Sequence, residues 1–375
     1  YSFPIKENYT EQVKSILENL DLIDFEYIDL PWLNDKELDD ILEKNKCKIP
    51  VHPHLYKELH NLFYLAKYLE CTTSDNISLP QFRERVWNVK VRGVDTENLA
   101  NQEKREQCLL SMVETQLETG NYIIEKKSLE YDAVSVLIEE GIVSVDGIYG
   151  YYIAHDIYAD WASVKLIERI WRKTQNTEDF FNELPNDIRH QNAFAKWFSD
   201  MLETDSEHLI DDFIEQLFEE NFTEKYSNTI IASVLSSSNY GKRFFAVYSC
   251  ELKKNNYKWL SKILRILLIS CQRLHSYVTY NRKQYPLMVP YGSGWDAAID
   301  YVYEYYDSFK SANGNKIYSL LQAYSFMQNA EPNSRHKAGL MALKPHEYFA
   351  NQRKQKQHCF FQNPDDSAFM VYSFC

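Results

Sequence analysis

With 375 residues, of which 45% are hydrophobic and 25% charged, the chain has the composition of a globular protein of two or three domains. Its net charge of −13 argues against an extended nucleic-acid-binding surface, although a local basic patch stays open. No apolar run approaches the roughly 20 residues of a membrane span, so we expect a cytoplasmic protein that does not enter a membrane. Because the chain opens without Met, we also expect it to be part of a longer protein.

In the first hundred residues the sequence predicts several helices and one short strand. Apolar residues at helical spacing indicate a helix over 8–22, and a strand follows at 25–28. Asn34 is a typical N-cap for a helix over 36–44. Two further helices are predicted over 54–70 and 79–92.

A different pattern begins near residue 103. Glycines at 120 and 141 end two predicted helices, and the alternating runs on either side of Asp146-Gly147 predict a β-hairpin. The predicted elements are a helix over 103–117, a strand over 122–125, a helix over 129–140, the hairpin strands 142–145 and 149–153, and a helix over 156–173. This order of elements predicts a winged-helix domain.

Only helices are predicted from residue 176 onwards. They lie near 187–203, 206–219, 223–236, 240–252, 257–273, 295–310, 315–329 and 334–343. Adjacent antiparallel helices of this length are typical of an α-solenoid or a bundle. The sequence therefore predicts a mainly α fold in four parts: 1–100 (helices with one strand), 101–174 (winged helix), 175–343 (helical repeats) and 344–375 (a tail without assignment).

This order of parts resembles the region that follows the nucleotide-binding core in STAND ATPases, the NACHT and NB-ARC relatives. Residues 28–41 are similar to the last core strand of that family and its next helix, and 54–65 to its lid helix. The resemblance therefore implies that 1–100 contain the end of an ATPase core and a helical lid. In the family a proline of the lid often touches adenine. Leu62 occupies that place here, within His-Asn-Leu-Phe-Tyr-Leu, so the resemblance implies a lid contact near adenine at Leu62.

The segment Tyr-Tyr-Ile-Ala-His-Asp at 151–156 resembles the family's strand-end His-Asp. The resemblance implies that His155 reaches the β-phosphate of bound ADP and holds the resting state. A helix N-terminus favours a phosphate, which suits the predicted junction between hairpin and helix. The alternative is that His155 and Asp156 only cap the helix.

Two shorter segments, at 289–295 and 335–340, resemble the helical arms of bacterial antiviral members of this group. The resemblance implies a regulatory and sensor portion that couples nucleotide state to recognition of a trigger. That trigger would be a protein bound by the helical repeats, by analogy a phage protein, and activation would bring homo-oligomerisation.

A phosphate-binding loop requires GxxxxGK[ST], and the nearest stretch, Ser-Ser-Ser-Asn-Tyr-Gly-Lys-Arg at 236–243, lacks its first glycine and its final Ser or Thr. No catalytic residue is therefore predicted in this segment. The full-length protein is expected to be an ATPase that binds ATP or ADP with Mg, mainly through residues outside the segment.

Other functions fit the residues less well. The recognition-helix position of the winged helix, 128–140, holds four acids and no Lys or Arg, so no direct DNA binding by the winged helix is predicted. A zinc site could be considered at His52 and His54, which flank Pro53, with His60 nearby in sequence. Because no cysteine pair stands beside them, no metal site is predicted. The alternative of another class is a non-enzymatic helical-repeat scaffold whose winged helix contacts proteins.

Overall fold

The computed structural model describes residues 32–355, except 72–75, 95–96, 126–128, 148–149, 175, 204–206, 220–223 and 281–282. The chain is mainly α, as predicted, and forms two compact units that meet in sequence between Lys173 and Thr174. The helix expected over 8–22 and the strand expected over 25–28 lie outside the described residues, as does the tail beyond Gln355.

The first unit contains one hydrophobic core, which its helices and a small sheet share. Its elements are α1 (Asp35–Lys44), α2 (Pro53–Glu58), α3 (Leu62–Cys71), α4 (Leu79–Val86, continued by a π-helical turn at Trp87–Arg92), α5 (Leu99–Thr119), β1 (Ile124–Glu125), α6 (Tyr131–Glu139), β2 (Val143–Asp146), β3 (Gly150–Ile153) and α7 (Asp156–Thr174). The three strands pair antiparallel in the order β1-β3-β2. Helix, strand, helix, hairpin and helix follow one another in the predicted order.

Local sequence signals account for several of these boundaries. The side chain of Asn34 accepts a hydrogen bond from the Glu37 amide, and the Glu37 carboxylate accepts one from the Asn34 amide, which together form a capping box. Gly120 ends α5 in the left-handed conformation, at φ 77°. At Gly150 a Cβ atom would meet the carbonyl oxygen of Ile124 at 2.1 Å, so glycine lets β1 and β3 pair.

The prediction of one helix over 54–70 was wrong, because the chain forms two helices with a break at 59–61. The His60 imidazole Nδ1 lies 3.1 Å from the Tyr56 carbonyl oxygen, and the His60 carbonyl accepts a hydrogen bond from the Leu33 amide. The Asn61 side chain then accepts a hydrogen bond from the Phe63 amide and starts α3. Side chains thus compete with the helical hydrogen bonds at this point.

In the second unit most helices pack on the helix two places further along the chain, which is the pattern of an α-solenoid. α9 packs on α11, α11 on α13, α12 on α14, α13 on α15 and α14 on α16. The elements are α8 (Thr177–Glu183), α9 (Ile188–Glu203), α10 (Glu207–Glu215, followed by a 3₁₀ turn at Gln216–Phe218), α11 (Glu224–Ser236), α12 (Tyr240–Val247), α13 (Ser249–Ser270), β4 (Gln272–Tyr280), β5 (Lys283–Pro290), α14 (Gly294–Glu304), α15 (Tyr306–Tyr324) and α16 (Pro332–Gln355).

The expectation of helices alone after residue 176 was wrong. An antiparallel hairpin, β4–β5, stands between α13 and α14, and its register runs from Gln272 opposite Pro290 to Tyr280 opposite Lys283. Prolines at 286 and 290 interrupt any helix here, and β-branched and aromatic residues at 277–280 favour a strand.

Other helix boundaries in this unit also differ from the prediction, and the helix expected over 315–329 runs from Tyr306 to Tyr324. The helix expected over 257–273 is joined to Ser249 across a break at 254–257, where Asn255, Asn256 and Tyr257 have positive φ. The helix expected over 295–310 ends at Glu304, and α16 continues past 343 to Gln355.

Three glycines allow a close contact between α11, α12 and the start of α14. A Cβ atom on Gly241 would lie 2.5 Å from the Gly294 nitrogen, and one on Gly292 would lie 2.3 Å from the Leu235 carbonyl oxygen. The Ser293 hydroxyl accepts a hydrogen bond from the Gly241 amide at 3.0 Å. The stretch at 236–243 that comes nearest to a phosphate-loop sequence therefore forms a structural junction between helices.

Asp296, a buried carboxylate, joins α14 to the start of α16. Its Oδ1 accepts hydrogen bonds from the Tyr324 hydroxyl at 2.5 Å and from the Glu331 amide at 3.2 Å. Burial raises the pKa of Asp296 above the usual value, against the lowering effect of these hydrogen bonds. The folded unit therefore binds this proton more tightly than the unfolded chain, so the contribution of Asp296 to stability is complete below about pH 4 and is lost as pH rises through the folded pKa.

We expect Asp296→Asn to remove this pH-dependent loss, because an amide oxygen can still accept both hydrogen bonds. Urea unfolding at about pH 4 and pH 7.5 should show a smaller change in the free energy of unfolding for the variant than for the wild type. Asp296→Leu is the comparison, since it leaves the Tyr324 hydroxyl and the Glu331 amide without their acceptor and should cost about 2 kcal/mol or more. An Asn variant as unstable as the Leu variant would contradict the prediction.

Candidate functional site

His155 lies between β3 and α7, where the winged-helix hairpin passes into the long helix. Its ring is half-buried and lies 5.0 Å, between centroids, from the ring of Phe63 on α3. One turn into α7, the Tyr158 ring packs edge-on against the same phenylalanine at 5.5 Å. Helix α3, which the sequence predicts to be part of the lid, is thus in direct contact with the junction that carries His155.

Leu62 is the first residue of α3 and precedes Phe63. Its side chain is 43% exposed, so it is available to a ligand and is not used in the core. Of the two residues singled out from the sequence, His155 contacts Phe63, and Leu62 precedes Phe63 on α3.

A lysine determines the electrostatics of this region. The Lys67 ammonium lies 5.9 Å from the centroid of the Phe63 ring and 3.0 Å from a Glu70 carboxylate oxygen. Burial, with the positive charge of Lys67, lowers the pKa of His155, and the Asp156 carboxylate opposes this only in part. At neutral pH the imidazole is therefore uncharged and can donate one hydrogen bond and accept another.

The backbone at His155 begins a helix. Its carbonyl oxygen accepts a hydrogen bond from the Tyr158 amide at 3.0 Å, and α7 starts at the next residue, Asp156. Amide groups in the first turn of a helix of this length favour an anion nearby. An uncharged imidazole, a nearby ammonium and a helix start together can hold a phosphate group.

Two residues of this site were missed by the sequence analysis, Phe63 and Lys67. They are four residues apart on α3 and so share one face of the helix. That spacing was the available signal, but only the packing of α3 against α7 shows that this face meets His155.

The histidines considered for zinc do not form a ligand set. His60 Nε2 lies 2.9 Å from an Asp35 carboxylate oxygen, while its Nδ1 faces the Tyr56 and Lys57 carbonyl oxygens. Both ring nitrogens therefore already face oxygen acceptors. Across the described part of the chain, no three His, Cys, Asp or Glu side chains are grouped so that they could hold a metal ion.

The acids around the predicted recognition helix are partly paired. Glu130 lies 3.4 Å from the Lys104 ammonium and Glu140 lies 3.4 Å from that of Lys90, while Asp132 and Glu139 are exposed. That the winged helix does not bind DNA directly stays a prediction. No helix among the described residues has both the length and the apolar character needed to cross a membrane.

Comparison with known proteins adds no assignment. No family model matches the chain, and no curated protein matches it. The resemblance to STAND ATPases therefore stays a prediction that rests on the residues themselves.

Proposed function

We propose that this chain is the regulatory and sensor portion of a cytoplasmic STAND-type ATPase, and that His155 senses the phosphates of a nucleotide bound mainly by residues outside the segment. The observation that carries the proposal is the contact between the half-buried His155 ring and Phe63 of the lid helix, beside Lys67 and the start of α7. The ligand is ADP or ATP with Mg, and Leu62 lies beside the adenine.

In the resting state the uncharged imidazole of His155 donates a hydrogen bond to a β-phosphate oxygen of ADP. Lys67 adds a positive charge, and the first amide groups of α7 add their partial charges. A phosphate dianion next to the ring favours its protonated form, so ADP binding raises the pKa of His155. The affinity for ADP therefore increases as pH falls below neutrality.

A protein trigger binds the helical repeats of the second unit and favours the open state over the closed one, which releases ADP. Homo-oligomerisation follows activation. Assigning the trigger to a phage protein, and the system to antiviral defence, rests on analogy with the bacterial members.

We expect the full-length His155→Ala variant to retain ADP more weakly, by about 10-fold or more, because it loses a hydrogen bond to a charged group worth roughly 1.5–3 kcal/mol. Equilibrium dialysis with labelled ADP measures the dissociation constant directly. Between pH 8 and pH 6 the wild type should gain affinity, whereas His155→Gln, which can donate but not take up a proton, should not.

His190 provides a matched control. It too is a half-buried histidine in the first turn of a helix, α9, and its Nδ1 lies 2.6 Å from an Asp187 carboxylate oxygen. His190→Ala should leave ADP binding and its pH dependence unchanged. Equal ADP binding by the wild type and His155→Ala would refute the sensor role, and no nucleotide binding by the full-length wild type would favour the helical-repeat scaffold.

A further inference from the structure

Positive charge is concentrated in two segments of an otherwise acidic chain. Residues 252–295 and 308–330 contain no Asp or Glu, although the chain has 54 of these residues. The same segments hold ten of its 41 lysines and arginines: Lys253, Lys254, Lys258, Lys262, Arg265, Arg273, Arg282, Lys283, Lys310 and Lys316. They include most of α13, the hairpin β4–β5 and most of α15.

On α13 the cations follow one face of the helix. Lys258, Lys262 and Arg265 are spaced by four and three residues, so they lie on one stripe that is about 10 Å long at a rise of 1.5 Å per residue. Lys258 and Arg265 are exposed and Lys262 is half-buried. The stripe ends at Ile269, an apolar side chain that is 73% exposed.

A cleft of about 470 Å³ separates this stripe from α15. Its surface is mostly apolar, and cations stand on both walls. The lining residues are Ser261, Lys262, Arg265, Leu268 and Ile269 from α13, and Lys316 and Ser319 from α15.

Two lysines of the cleft donate hydrogen bonds to neutral groups. The Lys316 ammonium donates a hydrogen bond to the Asn313 amide oxygen at 3.1 Å, and the Lys262 ammonium donates one to the Ser227 hydroxyl at 2.8 Å. Within the described ranges, neither Arg265 nor Lys316 lies within ion-pair distance of a carboxylate.

Elsewhere in the described ranges, lysines and arginines commonly lie within ion-pair distance of carboxylates. Examples are Lys165 with Glu84, and Arg243 with Asp211. The cleft therefore keeps positive charge available to a ligand from outside.

We propose that the cleft between α13 and α15 binds a single strand of nucleic acid. Such a strand combines a negative charge on every residue with apolar base faces, which can pack on Leu268 and Ile269 beside the cations of the cleft. A duplex fits poorly, because two adjacent helices, each about 10 Å across, exceed a major groove about 12 Å wide.

A further cation follows the cleft in sequence. Arg273, the second residue of β4, is exposed, and its guanidinium lies 5.2 Å from the centroid of the Tyr291 ring. An additional exposed cation a few residues beyond Ile269 favours a polymer over a small phosphorylated molecule. This site lies in the second unit and does not depend on the nucleotide role proposed for His155.

Fluorescence anisotropy of a labelled 12-nucleotide oligothymidylate tests the proposal on the full-length protein. The wild type should bind it with an affinity that falls with salt at a logarithmic slope of about −2, for three contacted phosphates. Arg265→Glu/Lys316→Glu should lose about 10-fold or more in affinity, and Arg265→Gln/Lys316→Gln should lose less. Arg265 is exposed and Lys316 is half-buried, and circular dichroism would verify that each variant is folded.

Lys36→Glu/Lys44→Glu is the matched control, because it makes the same change in net charge at two exposed lysines of α1. It should bind the oligonucleotide as the wild type does. Equal binding by the cleft variant and this control would overturn the proposal. Tighter binding of the matching duplex, or equal competition by oligoglutamate, would also overturn it, since these results assign the cleft to a duplex or to an acidic peptide.

Discussion

Replacing Gly292 with alanine should lower the free energy of unfolding of the second unit by about 3–5 kcal/mol. Gly292 has φ +100°, a conformation that a residue with a Cβ atom rarely adopts. The added Cβ would also lie 2.3 Å from the Leu235 carbonyl oxygen and 2.5 Å from the Ser236 Cα, both backbone atoms at the end of α11. Since backbone cannot rotate away as a flexible side chain can, either α11 or the start of α14 must move.

Gly339→Ala is the matched control for this substitution. Gly339 lies within α16, and a Cβ atom there would meet no atom within 4 Å. Because alanine is the better helix former, this variant should gain about 0.5–1 kcal/mol. Urea unfolding of the two variants and the wild type would measure both changes. A Gly292→Ala protein within about 1 kcal/mol of the wild type would show that the junction between α11 and α14 adjusts freely.

Tyr158→Ala should destabilise the first unit by about 3–5 kcal/mol, because it empties a large volume from an aromatic cluster. The Tyr158 side chain is 1% exposed, and its ring packs edge-on against Phe63 at 5.5 Å and against Trp161 at 5.7 Å. The same ring supports the helix turn that carries His155, so we also expect weaker ADP retention in the full-length variant.

Tyr158→Phe removes the hydroxyl and keeps the ring, so it measures the contribution of the hydroxyl to stability by itself. The Tyr158 hydroxyl oxygen is buried, and none of the described residues forms a hydrogen bond with it. Removing an unsatisfied buried hydroxyl should therefore raise the free energy of unfolding by about 1 kcal/mol. Thermal and urea unfolding of the Phe and Ala variants would compare them. A loss of stability in Tyr158→Phe would reveal a partner for the hydroxyl and contradict this account.

The sequence predicted the elements whose boundaries are encoded locally. Asn34 and Glu37 cap α1, Gly120 ends α5, and Asp146-Gly147 lies at the end of β2 in the hairpin, and each acts within a few residues of the chain. The break between α2 and α3 was missed because the hydrogen bond that the Leu33 amide donates to the His60 carbonyl joins residues far apart in sequence. The hairpin β4–β5 was missed although its strand-forming residues and prolines were visible, because a helical array gave no reason to expect strands.

The candidate site was predicted only in part, because some of its contacts join residues far apart in sequence. A resemblance pointed to His155 and Leu62, but Phe63 and Lys67 act through the packing of α3 on α7, which no local pattern contains. The cleft of the second unit was beyond reach as well, since the cations of α13 and Lys316 of α15 meet only after the helices pair. In the sequence, the cleft was indicated only by the absence of acidic residues from 252–295 and 308–330.

The way in which the hairpin joins the helices has a consequence for evolution. Gln272 and Pro290 are opposite each other in the register, and the Tyr291 amide donates a hydrogen bond to the Cys271 carbonyl at 3.0 Å, so the chain leaves and re-enters the helical array at adjacent points. The Trp295 indole N–H donates a hydrogen bond to the same Cys271 carbonyl and so also holds the base of the hairpin. The outer part of the hairpin is thus a place where related proteins are free to lengthen or shorten the chain, whereas its base is tied to the second unit through the buried Val289 and the contact of His275 with Gln328.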